Sequence, residues 1–119
     1  MARSMLIISR QAPWAGTGAR DALDIALAGA AFELPVSLLF LDDGVLQLMP
    51  AQQPEQLQQK NLQANLRALP MFGVEQLYVA GRSLEQRGLA SAELALDVEV
   101  LDDAAIRELI AAHDQLVTL

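Results

Sequence analysis

Five short runs that read as strands, each parted from the next by a segment of helical character, constrain this chain more than any other feature. Met5 to Ser9 (MLIIS) is continuously apolar, the pattern of a strand buried on both faces. Val36 to Leu41 and Gln76 to Ala80 (QLYVA) follow as strands two and three, and Val98 to Leu101 and Gln115 to Leu119 (QLVTL) as weaker strands four and five. Between them lies an Ala- and Leu-rich helix from Gly18 to Glu33, ended by Leu34-Pro35. A second helix, with Pro54 in its first turn, carries Leu57, Leu62, Leu66 and Leu69 on one face and stops at Pro70 and Gly73. Ser83 to Arg87 is a short helical segment closed by Gly88, and Asp102 or Asp103 caps a last helix with Ile106, Leu109, Ile110 and His113 on one face.

Strands alternating with helices imply right-handed βαβ units. The expected fold is α/β: a doubly wound, flavodoxin-like, mostly parallel five-stranded sheet with helices on both faces, in the order 2-1-3-4-5. With 119 residues the chain reads as one domain, 1–119. In such folds sites lie at the carboxyl ends of the strands, which selects three loops: Arg10 to Thr17, Asp42-Asp43-Gly44 and Gly81-Arg82-Ser83.

Composition narrows the chemistry. The net charge is −7, Lys60 is the only lysine and no Lys/Arg cluster exists, so the chain is not expected to bind nucleic acid directly. No apolar run approaches the roughly 20 residues that span a bilayer, and the amino-terminal apolar stretch is too short for a secretory signal. A cytoplasmic protein without a membrane segment is expected. Zero cysteines exclude a disulfide framework, a thiolate nucleophile and a cysteine metal site. At 53% hydrophobic residues, mean hydropathy +0.27 and 19% charged residues, so small a chain has apolar surface to spare, which points to a partner.

The candidates for chemistry each have a plainer reading. Asp42 and Asp43 could form an acid/base or Mg²⁺ site; the favoured alternative makes one the cap of the helical turn that follows and the other solvated. Gly16-Thr17-Gly18 hints at a dinucleotide loop, but Asp21 stands where the third glycine belongs and opposes a pyrophosphate. His113 reads as a structural, partly buried histidine, and Trp14 either as a loop plug or as an interface anchor. Val45, Leu46, Leu48 and Met49 crowd four large apolar side chains into five residues; the plainer reading is a short amphipathic turn folded back on its own sheet, but so short an element buries four such side chains with difficulty, so the favoured expectation is that the stretch after Asp43 faces a partner.

Two stretches carry a family resemblance: Leu38 to Pro54, with its D-G-V-x-Q-L-x-P core at Asp43 to Pro50, and Phe72 to Leu89, with S-L-x-x-R-G-L at Ser83 to Leu89. Together they resemble the DsrE/DsrF-like sulfur-relay family, in its DsrF-type branch, over nearly the whole chain. The resemblance implies a subunit that joins TusB-like and TusD-like partners in a hexamer of two heterotrimers. Such a complex passes persulfide sulfur, through TusE, to the thiouridylase that makes 2-thiouridine at the tRNA wobble position.

In that family the sulfur-carrying subunit has a cysteine at the end of strand three. Ala80 stands at or beside that position here, and alanine cannot attack a persulfide. The implied role is therefore non-catalytic and cofactor-free. The expected interface comprises Trp14, Asp43, Val45, Leu46, Leu48 and Met49, and Ala80, Gly81 and Arg82 line a cleft near a partner's thiol. The rival reading is a small α/β enzyme that binds a nucleotide or another small molecule through Asp42 and Asp43.

Overall fold

The computed structural model describes residues 3–49, 57–74, 76–89, 94 and 96–119. Its strands are β1 (Met5–Ser9), β2 (Val36–Phe40), β3 (Gln76–Ala80), β4 (Glu99–Leu101) and β5 (Gln115–Thr118). All four pairings are parallel, so the α/β sheet expected from the alternation is present. The order, however, is β4-β3-β2-β1-β5, not 2-1-3-4-5.

The cause lies in the second helix. In the flavodoxin-like order the chain reverses direction after its first crossover, which would put the second helix on the opposite face from the first. Here α1 (Gly18–Ala31) and α2 (Leu57–Ala68) share one apolar core: Leu62, Leu66 and Leu69 join Ala19, Leu23 and Ala26 over Ile7, Leu38, Phe40 and Val79. Crossovers of one hand therefore march from β1 to β4, and α3 (Gly81–Gln86) adds Leu84 to the same layer. Only the return from β4 to β5 reverses direction. It carries α4 (Asp103–Ala111) across the other face, where Ile106, Leu109 and Ile110 cover Leu6, Ile8 and Leu39. The start of α2 expected at Pro54 lies outside the described residues.

The helices begin and end for local reasons. Alternating small residues let α1 lie close on the sheet, where a Cβ on Gly29 would come within 2.8 Å of Val36. Its carboxyl end closes as a Schellman turn, Leu34 N–H donating to Gly29 O (3.0 Å) and Glu33 N–H to Ala30 O (2.9 Å), with Glu33 left-handed at φ 61°. Asp102 caps α4, its carboxylate accepting from Ala105 N–H at 2.8 Å. His113 is held structurally just after it, between Leu109 O (2.8 Å) and Ser37 Oγ (3.0 Å).

Candidate functional site

Because β3, β2 and β1 are neighbours, the loops after all three meet at the carboxyl edge of the sheet, as the choice of loops requires. The switch point itself falls between β1 and β5. At the middle of this edge sits the segment Asp42–Leu48, a 3-10 helix that turns back over the end of β1.

This return overturns the outward reading of the segment. Val45 and Leu48 are 0% exposed and belong to the core beside Leu66 and Leu69. The segment gets close enough to bury them because Gly44 lies against the Ser9 carbonyl, where a Cβ would fall 1.9 Å from the oxygen. Of the four apolar side chains only Leu46 and Met49 keep part of their surface.

A buried amide holds the turn down. Gln47 Nε2 donates to Ser9 Oγ (2.7 Å) and to Gln11 O (2.9 Å), and the equally buried Gln63 of α2 donates to the carbonyls of Gln47 (3.0 Å) and Met49. Sequence reasoning missed both glutamines. The signal available for Gln47 was a lone amide between two core residues; Gln63 lay among the glutamines of a seemingly polar face.

The aspartates do not cap the turn, since neither side chain bonds a backbone N–H of the segment. They diverge to separate arginines. Asp42 pairs with Arg10 of the first loop (2.7 Å), and Asp43 accepts from Arg87 Nη2 (2.8 Å) and Nε (3.1 Å). Asp42, left-handed at φ 53°, also donates its N–H to Ser83 Oγ at 2.9 Å. The two stretches that carry the resemblance thus clasp each other, Asp42 to Ser83 and Asp43 to Arg87. Carboxylates so engaged and pointing apart form no shared acid/base dyad, and among the described residues no group of three acids or histidines could hold a metal.

Beside the clasp, Ala80, Arg82 and Asp42 line a cleft of about 340 Å³ with Ser83, Asp103 and Arg107. Ala80 is its floor, 1% exposed. Gly81 lies over the margin of β4, where a Cβ would meet Val100 at 3.2 Å, and Arg82 is ion-paired with Asp103. Of the three residues expected at a cleft, Ala80 and Arg82 line this one, joined by Asp103 and Arg107 of α4, whereas Gly81 faces the β4 side. Trp14 stands apart in the first loop, 66% exposed, and plugs nothing. At the mouth of α1, Thr17 Oγ1 donates to the Asp21 carboxylate (2.9 Å), placing an acid where a dinucleotide would need its phosphate.

Three comparisons bear on this geometry. The model of the DsrE/DsrF-like family matches residues 3–119. A protein of Pseudomonas aeruginosa described as "Protein TusC homolog" is 66% identical over 119 residues, covering 100% of both chains. The crystal structure of the ychN protein from E. coli superposes with a TM-score of 0.83 at 21% identity over 100% of each chain, a likeness of fold. Among the described residues no helix is long and apolar enough to cross a membrane.

Proposed function

The chain belongs to the DsrE/DsrF-like family, and from that premise we propose that it is a non-catalytic structural subunit of a sulfur-relay complex. The observation that carries the reading is the end of β3. At or beside the position where the relay family places its sulfur-carrying thiol, this chain has the buried Ala80, and its sequence has no cysteine at all. A persulfide is passed on when a thiolate attacks the outer sulfur of the donor, and no side chain here can make that bond. The thiol belongs to a partner.

The 66% identity to a TusC homolog over the full length supports the finer reading: TusB-like and TusD-like partners, two heterotrimers forming a hexamer, and delivery through TusE to a tRNA thiouridylase in the cytoplasm. On this reading the surface offered to the partners is Trp14 with the exposed parts of Asp43, Leu46 and Met49. The Ala80–Arg82 cleft lies beside a partner's thiol.

Deleting the gene and measuring 2-thiouridine in tRNA by mass analysis tests the pathway. The modification is expected to fall to background; unchanged thiolation overturns the assignment. Co-purification tests the assembly separately, with TusB-like and TusD-like chains expected on a tagged copy of this one.

A further inference from the structure

Arg10, Arg82, Arg87 and Arg107 gather around the carboxyl edge of the sheet, and the first three are engaged. Arg10 holds Asp42 (2.7 Å), Arg87 holds Asp43 (2.8 Å) and Arg82 holds Asp103. Arg107 has no ion-pair or hydrogen-bond partner among the described residues. Asp103, one turn earlier on α4, is its natural mate, but that carboxylate is taken by Arg82.

Arg107 lines the cleft of about 340 Å³ whose floor is Ala80. Both acids of that cleft, Asp42 and Asp103, are neutralised by arginines of their own, which leaves one positive charge over. Ser83, 3% exposed, lines the same cleft and spends only half of its hydroxyl: Oγ accepts Asp42 N–H (2.9 Å), while the O–H proton has no acceptor among the described residues. A buried donor without an acceptor calls for one. Alongside these donors, Leu41, Ala80 and Ile106 supply an apolar lining.

We propose that this cleft binds a short-chain carboxylate, with the head group on Arg107 and the Ser83 hydroxyl and the hydrocarbon stem against Leu41, Ala80 and Ile106. A guanidinium takes a planar carboxylate through two parallel N–H bonds, and a hydroxyl proton serves a lone pair that the fork leaves open. The ligand carries a single charge. Only one cation of the cleft is unpaired, and a second negative charge would lie beside Asp42 and Asp103 in a chain of net charge −7. A dianion such as phosphate is disfavoured on that ground. The apolar lining adds a preference for a carboxylate with a stem over a bare inorganic anion. The site stands independently of the sulfur-relay reading, because this chain alone supplies every group named.

Titrating the full chain with butyrate at neutral pH and fixed ionic strength, followed by amide NMR, tests the site. Saturable shifts of the Arg82, Ser83 and Arg107 amides are expected. Butyramide, which keeps the stem and lacks the charge, and inorganic phosphate should each bind about tenfold or more weakly. Arg107 is exposed, so Arg107→Gln should fold unchanged and weaken butyrate by about tenfold or more, whereas Arg20→Gln, outside the cleft, should leave binding as it was. Shifts that never saturate, butyramide or phosphate binding as tightly as butyrate, or an Arg107→Gln variant that binds like the unmodified chain each overturn the site. Equal losses in Arg107→Gln and Arg20→Gln overturn it too, since they would reflect net charge alone.

Discussion

Glu33 and Asp42 are the non-glycine residues with left-handed backbone among those described, and they differ in what holds them there. Glu33 closes a helix through its backbone alone, so Glu33→Gly should raise stability in urea by about 1 kcal/mol through relief of the left-handed strain. Asp42 is held by Arg10 and Ser83, and aspartate tolerates this region better than most residues. A second contrast separates neighbours on the returning turn. Leu48→Asp places a charge in a site that is 0% exposed and should abolish cooperative folding, whereas Met49→Asp should leave the melting transition intact and weaken co-purification with partners. Identical transitions for the two variants would refute the inward packing. Apolar density after Asp43 was visible in the sequence; its direction was not, because it depends on a contact between Gly44 and the Ser9 carbonyl 35 residues earlier.

The returning turn is held by interactions of unequal strength, one towards α3 and one towards β1. Arg87 to Asp43 is an ion pair with 23% and 60% of its side chains exposed, so Arg87→Ala should cost under about 1 kcal/mol. Gln47 is buried, and Gln47→Ala leaves the Gln11 carbonyl and the Ser9 hydroxyl without their donor, for roughly 2–3 kcal/mol. Urea titration of both variants orders them; equal losses would refute the ordering. The strand pair β3–β4 makes a pH prediction. Tyr78 is raised above its ordinary value, first by burial and then by the Glu99 carboxylate beside it. Since the folded value lies above the unfolded one, its contribution to stability is complete below about pH 10 and is lost as pH rises through the folded value. As Tyr78 is the only tyrosine, ultraviolet titration should show its ionisation later than in the unfolded chain, and Glu99→Gln should move it back towards the ordinary range.

Across the whole molecule, alternation of strands and helices made the parallel sheet legible, since each apolar run maps onto a strand to within about two residues. Strand order was not legible, because it turns on which face receives the Leu62–Leu69 stripe. The same limit applied to Ala80: its place at the end of β3 could be read, but its burial by neighbouring elements could not. That burial yields a test of whether this edge of the molecule is scaffold or a silenced carrier. Ala80→Cys would put the chain's sole thiol at a position only 1% exposed, where desolvation disfavours the thiolate. It should react with an alkylating reagent slower, on the order of tenfold or more, than Arg82→Cys, whose side chain position is 68% exposed. On the proposed relay reading, it should also fail to restore 2-thiouridine when the relay cysteine proposed for a partner is removed. Rapid alkylation together with restored thiolation would mean that the fold still presents a working relay position at Ala80 and that only the sulfur atom is missing.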